Sequence, residues 1–407
     1  KESSTTKPGY DTYTDGTSNV WVKASAEGTP NVCAIGGTEY PTLEAALNAA
    51  PGGQIRTIRL LQDITFSETL LVTGKTIVFD LGAFDLTVNN AGTGTGHGLD
   101  VLENGSVSYT DKSLGRFSVT GTLYGVYIED SQAAVSSATA TDTNGCALYM
   151  EGSSSTALVN GNVSAAQRGV DCSGGKAVIS GNISVTGDYS YAINTYVDGQ
   201  VTVAGSVTAS GTEAMGVSAS DESKVTVHGK VTAAGTDTVG IEAMGSNAGT
   251  HSLVTVYNGV VAAICAVRAD HHGKAVIFGP VSATGEYGVA IEAFGLGEVT
   301  VTGNVTAPDS GTGVLVGMDK PGREIGPGKA TITGNVTAGH GLNAEDGGNI
   351  RLNGNVTAKP YGIQSRSGTI YVTGNVTSEN SYGVTVQQSA DVTIDGIIDA
   401  PSYIDIS

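Results

Sequence analysis

A five-residue phrase, Gly-Asn-Val-Thr-Ala, recurs with variation along the chain and constrains its fold more than any other feature. Its glycine falls at Gly161, Gly181, Gly205, Gly229, Gly259, Gly279, Gly303, Gly334, Gly354, Gly374 and Gly396. Most spacings lie between 20 and 24 residues, and the two long ones, 30 and 31, carry loop insertions. Each phrase follows an alternating stretch such as Val299-Thr300-Val301-Thr302 or Val225-Thr226-Val227-His228, which is a strand signal. A second short strand follows roughly ten residues later, as in Gly216-Val217-Ser218-Ala219 and Gly240-Ile241-Glu242-Ala243. A repeat this short has no room for a βαβ crossover or a propeller blade. It fits one coil of a solenoid whose strands pair with their counterparts ~4.8 Å away in the next coil. The predicted fold class is all-β, a right-handed parallel β-helix.

The same pattern assigns faces. Residues two and four positions either side of each glycine point inward, for example Val299, Val301, Val305 and Ala307. The Gly-Asn corner is read as needing left-handed backbone, which both residues tolerate. The asparagines Asn162, Asn182, Asn304, Asn335, Asn355 and Asn375 are expected to share hydrogen bonds from coil to coil. Val, Ile and Ala suit a narrow interior that Leu or Trp would crowd.

The N-terminal part differs. Residues 1–30 read as a polar lead-in, and 31–407 as a single β-helix domain. One helix is predicted near 42–50, capped by Thr42, with Leu43, Ala46 and Leu47 on one face and Pro51-Gly52 ending it. It would cover the first open coil, whose bare strand edges would otherwise template aggregation.

Ala34-Ile35-Gly36-Gly37-Thr38-Glu39-Tyr40-Pro41-Thr42-Leu43-Glu44-Ala45-Ala46, followed by the strands at 57–61 and 75–82, resembles the opening of pectate-lyase-like β-helix proteins. It is similar, more narrowly, to β-helix repeats of surface proteins from Gram-positive gut bacteria. The resemblance implies extracellular polysaccharide chemistry or a noncatalytic surface role. The paired aspartates and Arg-x-Lys that the superfamily's pectin hydrolases imply do not occur in this sequence. Gly-His-Gly does occur, at 96–98 and 339–341, and in so glycine-rich a chain reads as a turn.

Composition narrows the function. With 39 acidic and 20 basic residues the net charge is −19, so nucleic acid would be repelled. No apolar run approaches the ~18 residues of a membrane helix. The polar start lacks a signal-peptide layout and reads as a trimmed mature fragment. Cys33, Cys146, Cys172 and Cys265 form no C-x-x-C pair, which excludes zinc ribbons. Cys172 and Cys265 read as buried thiols, and Cys146 and Cys172 as neighbours able to form a disulfide. The acid pairs Glu129-Asp130, Asp221-Glu222 and Glu345-Asp346 read as solvated turns.

Aligning the Gly-Val-x-Ala strand gives an outward column: Asp171, Asn194, Ser218, Glu242, Arg268, Glu292, Leu315, Asn343, Gln364, Thr385. Glu242, Arg268 and Glu292 fall on successive rungs, where alternating charges attract. Asp270-His271-His272 follows, and adjacent strand residues point apart, which argues against one shared metal ion. A second outward column brings His228, Tyr257 and Phe278 onto consecutive coils, unless the insertion at 244–252 covers them. Aromatic faces stack on sugar rings and exposed apolar patches mark interfaces.

His228, Tyr257, Phe278, Glu242, Arg268, Glu292, His271 and His272 are the candidate ligand site, with no catalytic set, metal or cofactor assigned. The function expected is a noncatalytic secreted or bacterial cell-surface protein, binding a glycan or host surface protein or serving as an adhesin stalk. The alternative is a polysaccharide lyase or glycoside hydrolase resting on Glu242, Glu292 and Arg268–His272. No nucleic acid or membrane insertion is expected, and oligomeric state is left open.

Overall fold

The chain is all-β, 58% strand and 2% helix, and winds into a parallel β-solenoid of about 14 turns. The computed structural model describes residues 10–14, 17–23, 30–92, 94–110, 114–245, 250–317 and 326–407. Each coil carries three strands. In one coil they are Leu253–Val256, Val260–Ala262 and Cys265–Asp270, here the first, second and third faces. The coil strands pair in parallel with their counterparts: Val254 lies between Val225 and Ala275, and Val267 between Ile241 and Ile291. The alternation predicted from the repeat holds. Val299, Val301 and Val305 are buried, and Ala307 packs against the core.

The Gly-Asn phrase makes the corner between the first and second faces. Each asparagine Oδ1 accepts from a backbone N–H one coil on: Asn304 from Asn335 at 2.9 Å, Asn335 from Asn355 at 3.0 Å, Asn355 from Asn375 at 2.8 Å. Asn355→Ala is therefore expected to cost about 1 kcal/mol, the net worth of one such bond. Chemical denaturation checks this, and an unchanged midpoint would remove the ladder from the list of stabilising features.

The corner expectation holds in part. The asparagines are not left-handed, but the glycines Gly259, Gly279, Gly303, Gly334 and Gly354 have positive φ, while Gly205 and Gly229 do not. A second requirement is shared: a Cβ on Gly205 would lie 2.3 Å from the Gly181 carbonyl oxygen, and one on Gly229 would lie 2.3 Å from that of Gly205. Close approach of successive coils demands glycine there. Left-handed non-glycine residues sit at the other two corners: Asp221-Glu222 and His271-His272 between the third face and the next coil's first face, and Tyr189, Glu213, Asp237 and Tyr287 between the second and third faces.

The interior is also wider at its start than expected. Phe79, Phe117, Leu70, Leu99, Leu148 and Met150 are all fully buried. Phe79 and Phe117 meet edge to face at 5.3 Å, Phe79 lying in register between Ile58 and Tyr109 and Phe117 beside Leu86. Large side chains thus pack on one another in the first coils, before the core narrows to Val, Ile and Ala.

Helix α1, Leu43–Ala49, caps this end as predicted. Thr42 Oγ1 accepts from the Ala45 N–H at 3.1 Å, and Leu43, Ala46 and Leu47 are buried. Lys75 Nζ donates to the Leu47 carbonyl at 3.0 Å, tying the helix to the coil beneath it. Within the lead-in, Tyr10–Thr14 and Asn19–Lys23 pair antiparallel, strands that the reading of a polar segment did not contain.

Candidate functional site

Strand register settles the third-face column. Asp171, Asn194, Ser218, Glu242, Arg268, Glu292, Leu315, Asn343, Gln364 and Thr385 follow one another on successive coils. Arg268 Nε donates to Glu292 Oε2 at 2.7 Å, and its Nη1 to Glu242 Oε1 at 3.3 Å. One guanidinium thus joins three coils. Asp171 is not an open member of the column. It is buried, holding Arg168 Nη1 at 2.8 Å and Asn194 Nδ2 at 3.2 Å. Burial raises its carboxyl above the usual value, against the lowering pull of Arg168 and Asn194.

His228, Tyr257 and Phe278 stand together at the outer end of the first-face strands. Their rings stack at 5.0 and 5.2 Å with interplanar angles of 10° and 14°. Tyr257 is 45% and Phe278 41% exposed, among the most open aromatics of the solenoid. Part of the insertion suspected of covering them, 246–249, lies outside the described residues. Its described flank turns elsewhere: His251 pairs with His272 at 5.9 Å, on the corner at the opposite end of that strand.

The stacking has a consequence for ligands. Residues in register present their rings to one another, so Tyr257 is covered on both faces and offers its edge and hydroxyl. Only the outermost faces of the stack are open. Phe278 is in register with Thr302, and the His228 N–H bonds to Val203, which places the small Ala204 beside the imidazole. Each end of the stack therefore borders a small side chain, leaving a ledge where a further flat ring can be layered.

His271 and His272 are turn residues, both left-handed, and the Gly273 N–H closes the turn onto the Asp270 carbonyl at 2.8 Å. Their rings have different neighbours, His271 Nδ1 lying 3.0 Å from Asp270 Oδ1 and His272 facing His251. Among the described residues no three His, Cys, Asp or Glu side chains are grouped to hold a metal ion.

The four cysteines are free and buried. The Cys146–Cys172 disulfide is overturned by register: Cys146 lies beside Arg168, and Cys172 beside Met150. Burial raises the Cys33 and Cys172 thiols to about 11, so they pack as small inert groups.

A second cluster was not found from the sequence. The third-face column continues back through Tyr149, Tyr127 and Asp100, which are in register with one another and with Asp171. Tyr127 and Tyr149 stack at 5.2 Å and 8°, and Tyr124 lies across both, tilted by 58° and 51°. His97 meets Tyr124 edge-on at 4.7 Å, and its Nδ1 is 2.8 Å from Asp100 Oδ1. The Gly-His-Gly segments are thus strand rather than turn, since His340 likewise stands on the third face, stacked on Tyr361 at 5.5 Å. Gly98 and Gly341 are needed because a Cβ would lie 2.7 and 2.3 Å from a carbonyl oxygen of the next coil.

No protein-family model, curated protein or solved structure matches the chain. The solenoid architecture therefore rests on the strand register itself.

Proposed function

We propose that this chain is a noncatalytic β-solenoid of the cell exterior that binds a glycan through its exposed aromatic stack. The observation that carries the reading is the His228–Tyr257–Phe278 stack, open at its sides and ending on two ledges. An aromatic face is electron-rich and apolar, which suits the C–H face of a pyranose ring. The net charge of −19 and the rigid rod fit a surface-displayed adhesin or stalk segment. The sequence resemblance to pectate-lyase-like repeats of Gram-positive surface proteins supports the same setting, as analogy only. In the lyase or hydrolase reading, Glu242 and Glu292 would serve as acids beside Arg268. Both carboxylates instead accept from that one guanidinium, an arrangement that stabilises the rod.

The test is binding of the purified chain to an array of plant, mucin and bacterial glycans, with Tyr257→Ala/Phe278→Ala beside it. The double variant is expected to weaken the best interaction at least about tenfold, equivalent to 1.4 kcal/mol. Undiminished binding would remove the stack as the site. Absence of any glycan binding would overturn the function.

A further inference from the structure

The third face holds two neighbouring outward columns, two residues apart along the strand, in which charge is arranged in opposite ways. In the one that passes through Asp171, charges alternate, Glu242–Arg268–Glu292, as a structure seeking stability would arrange them. In the other, Glu129 and Glu151 are in register on adjacent coils, both exposed, beside Tyr127 and Tyr149 of the first. Among the described residues neither is in a salt bridge, and Glu129 Oε2 accepts from the Tyr127 hydroxyl at 3.5 Å. Like charges directly opposite are destabilising. Beside them lie the half-buried rings of Tyr124, Tyr127 and Tyr149, with His97 and Asp100 one coil earlier. Packing alone gives no reason to set two like carboxylates opposite each other beside half-buried phenol rings.

We infer that Tyr124, Tyr127 and Tyr149, flanked by Glu129 and Glu151, form a second binding site on the third face, and that its ligand is an uncharged oligosaccharide lying along the rod. Carboxylates only accept hydrogen bonds, so the ligand must supply donors, and sugar hydroxyls do so without bringing charge. Phenols here stay protonated and donate in turn. Burial raises Tyr149, with Tyr196, Glu151 and Asp171 adding to the effect. A polyuronate is disfavoured. Its carboxylates would approach Asp100, Glu129 and Glu151, while the nearby Arg168 is engaged with Asp171. A quaternary ammonium ligand needs ring faces that converge on one point. Tyr127 and Tyr149 face each other instead, at 8°.

This site stands apart from the corner stack, so the two can be separated. The proposal rests on the glycan-binding reading, and the experiment is done where the first site is absent. In the Tyr257→Ala/Phe278→Ala protein, calorimetric titration with cellohexaose, chitohexaose and laminarihexaose is expected to detect binding of at least one. Hexagalacturonate is expected to bind at least tenfold more weakly. Adding Tyr127→Ala/Tyr149→Ala should then abolish the residual binding, while circular dichroism reports an intact solenoid. Tyr127→Phe/Tyr149→Phe, which keeps the rings, should retain most of it if the variant lacking the rings proves unstable. No binding to any of the three neutral probes would overturn this site whatever the corner stack does. Equal or tighter binding of hexagalacturonate would overturn it too, as would displacement by choline with no sugar binding.

Discussion

Val227→Asp is expected to destabilise the solenoid by more than ~4 kcal/mol, the range reached when an unpaired charge is forced into a core. Val227 is fully buried, between Val203 and Val256 on the coils either side, one residue before His228. An isolated carboxylate there has no partner and shifts upward in pKa until it neutralises. With the folded value above the unfolded one, the native chain binds more protons, so stability falls as pH rises through that window. The loss should therefore be smaller in acid than at neutral pH. Each coil of a solenoid leans only on its neighbours, so a defect in the middle uncouples the two halves. Urea denaturation should show a lowered or split transition, and limited proteolysis should cut near the substituted coil. A single transition at the wild-type midpoint would contradict the assigned register.

The second large effect concerns Arg268. Removing it as Arg268→Ala leaves Glu242 and Glu292 half-buried on one face without their shared cation. Truncating one partner of a fully buried pair costs about 3–5 kcal/mol. Arg268 is 33% exposed in its side chain, and solvent screening reduces the expected cost to about 2–3 kcal/mol. Arg268→Lys keeps the charge but loses the fork that reaches both carboxylates, so it should fall between wild type and alanine. Denaturation midpoints of the two variants check the order. An alanine variant as stable as wild type would mean that the three-coil ion pair contributes nothing.

How much was legible in the sequence follows from what the repeat encodes. The Gly-Asn phrase is a corner requirement, so it locates coils, inward positions and the columns that follow from them. Glu242, Arg268 and Glu292 fell on adjacent rungs because their coils carry that phrase, and Tyr257 could be placed despite a one-residue offset because its flanking Val254 and Val256 kept alternating. Before Gly161 the corner is made differently. Ser136 stands at the equivalent bend, but its Oγ accepts from the Phe117 N–H of the preceding coil at 2.9 Å, where the later asparagines accept from the coil that follows. Without the phrase there was nothing to align, and Tyr127 and Tyr149 went unnoticed at the head of a column already traced from Asp171. The wide aromatic interior around Phe79 and Phe117 was missed for a related reason, since composition shows residue types and not which large side chains meet.

The disulfide and turn readings failed on register and on glycine. Cys146 and Cys172 lie in adjacent coils, yet four positions separate them along the strand, Cys146 pairing with Arg168 and Cys172 with Met150. Glycine beside His97 and His340 signals a coil pressed against its neighbour, a meaning that sequence does not distinguish from a turn.

The most direct measurement is fluorine NMR of the chain labelled with 4-fluorophenylalanine, titrated with the glycan that binds best on the array. The chain has six phenylalanines, and the Phe278 resonance is assigned by its loss in Phe278→Ala. The account predicts that this resonance shifts and saturates with the ligand while those of buried Phe79 and Phe117 stay fixed. Saturable binding that leaves the Phe278 resonance unmoved would contradict it.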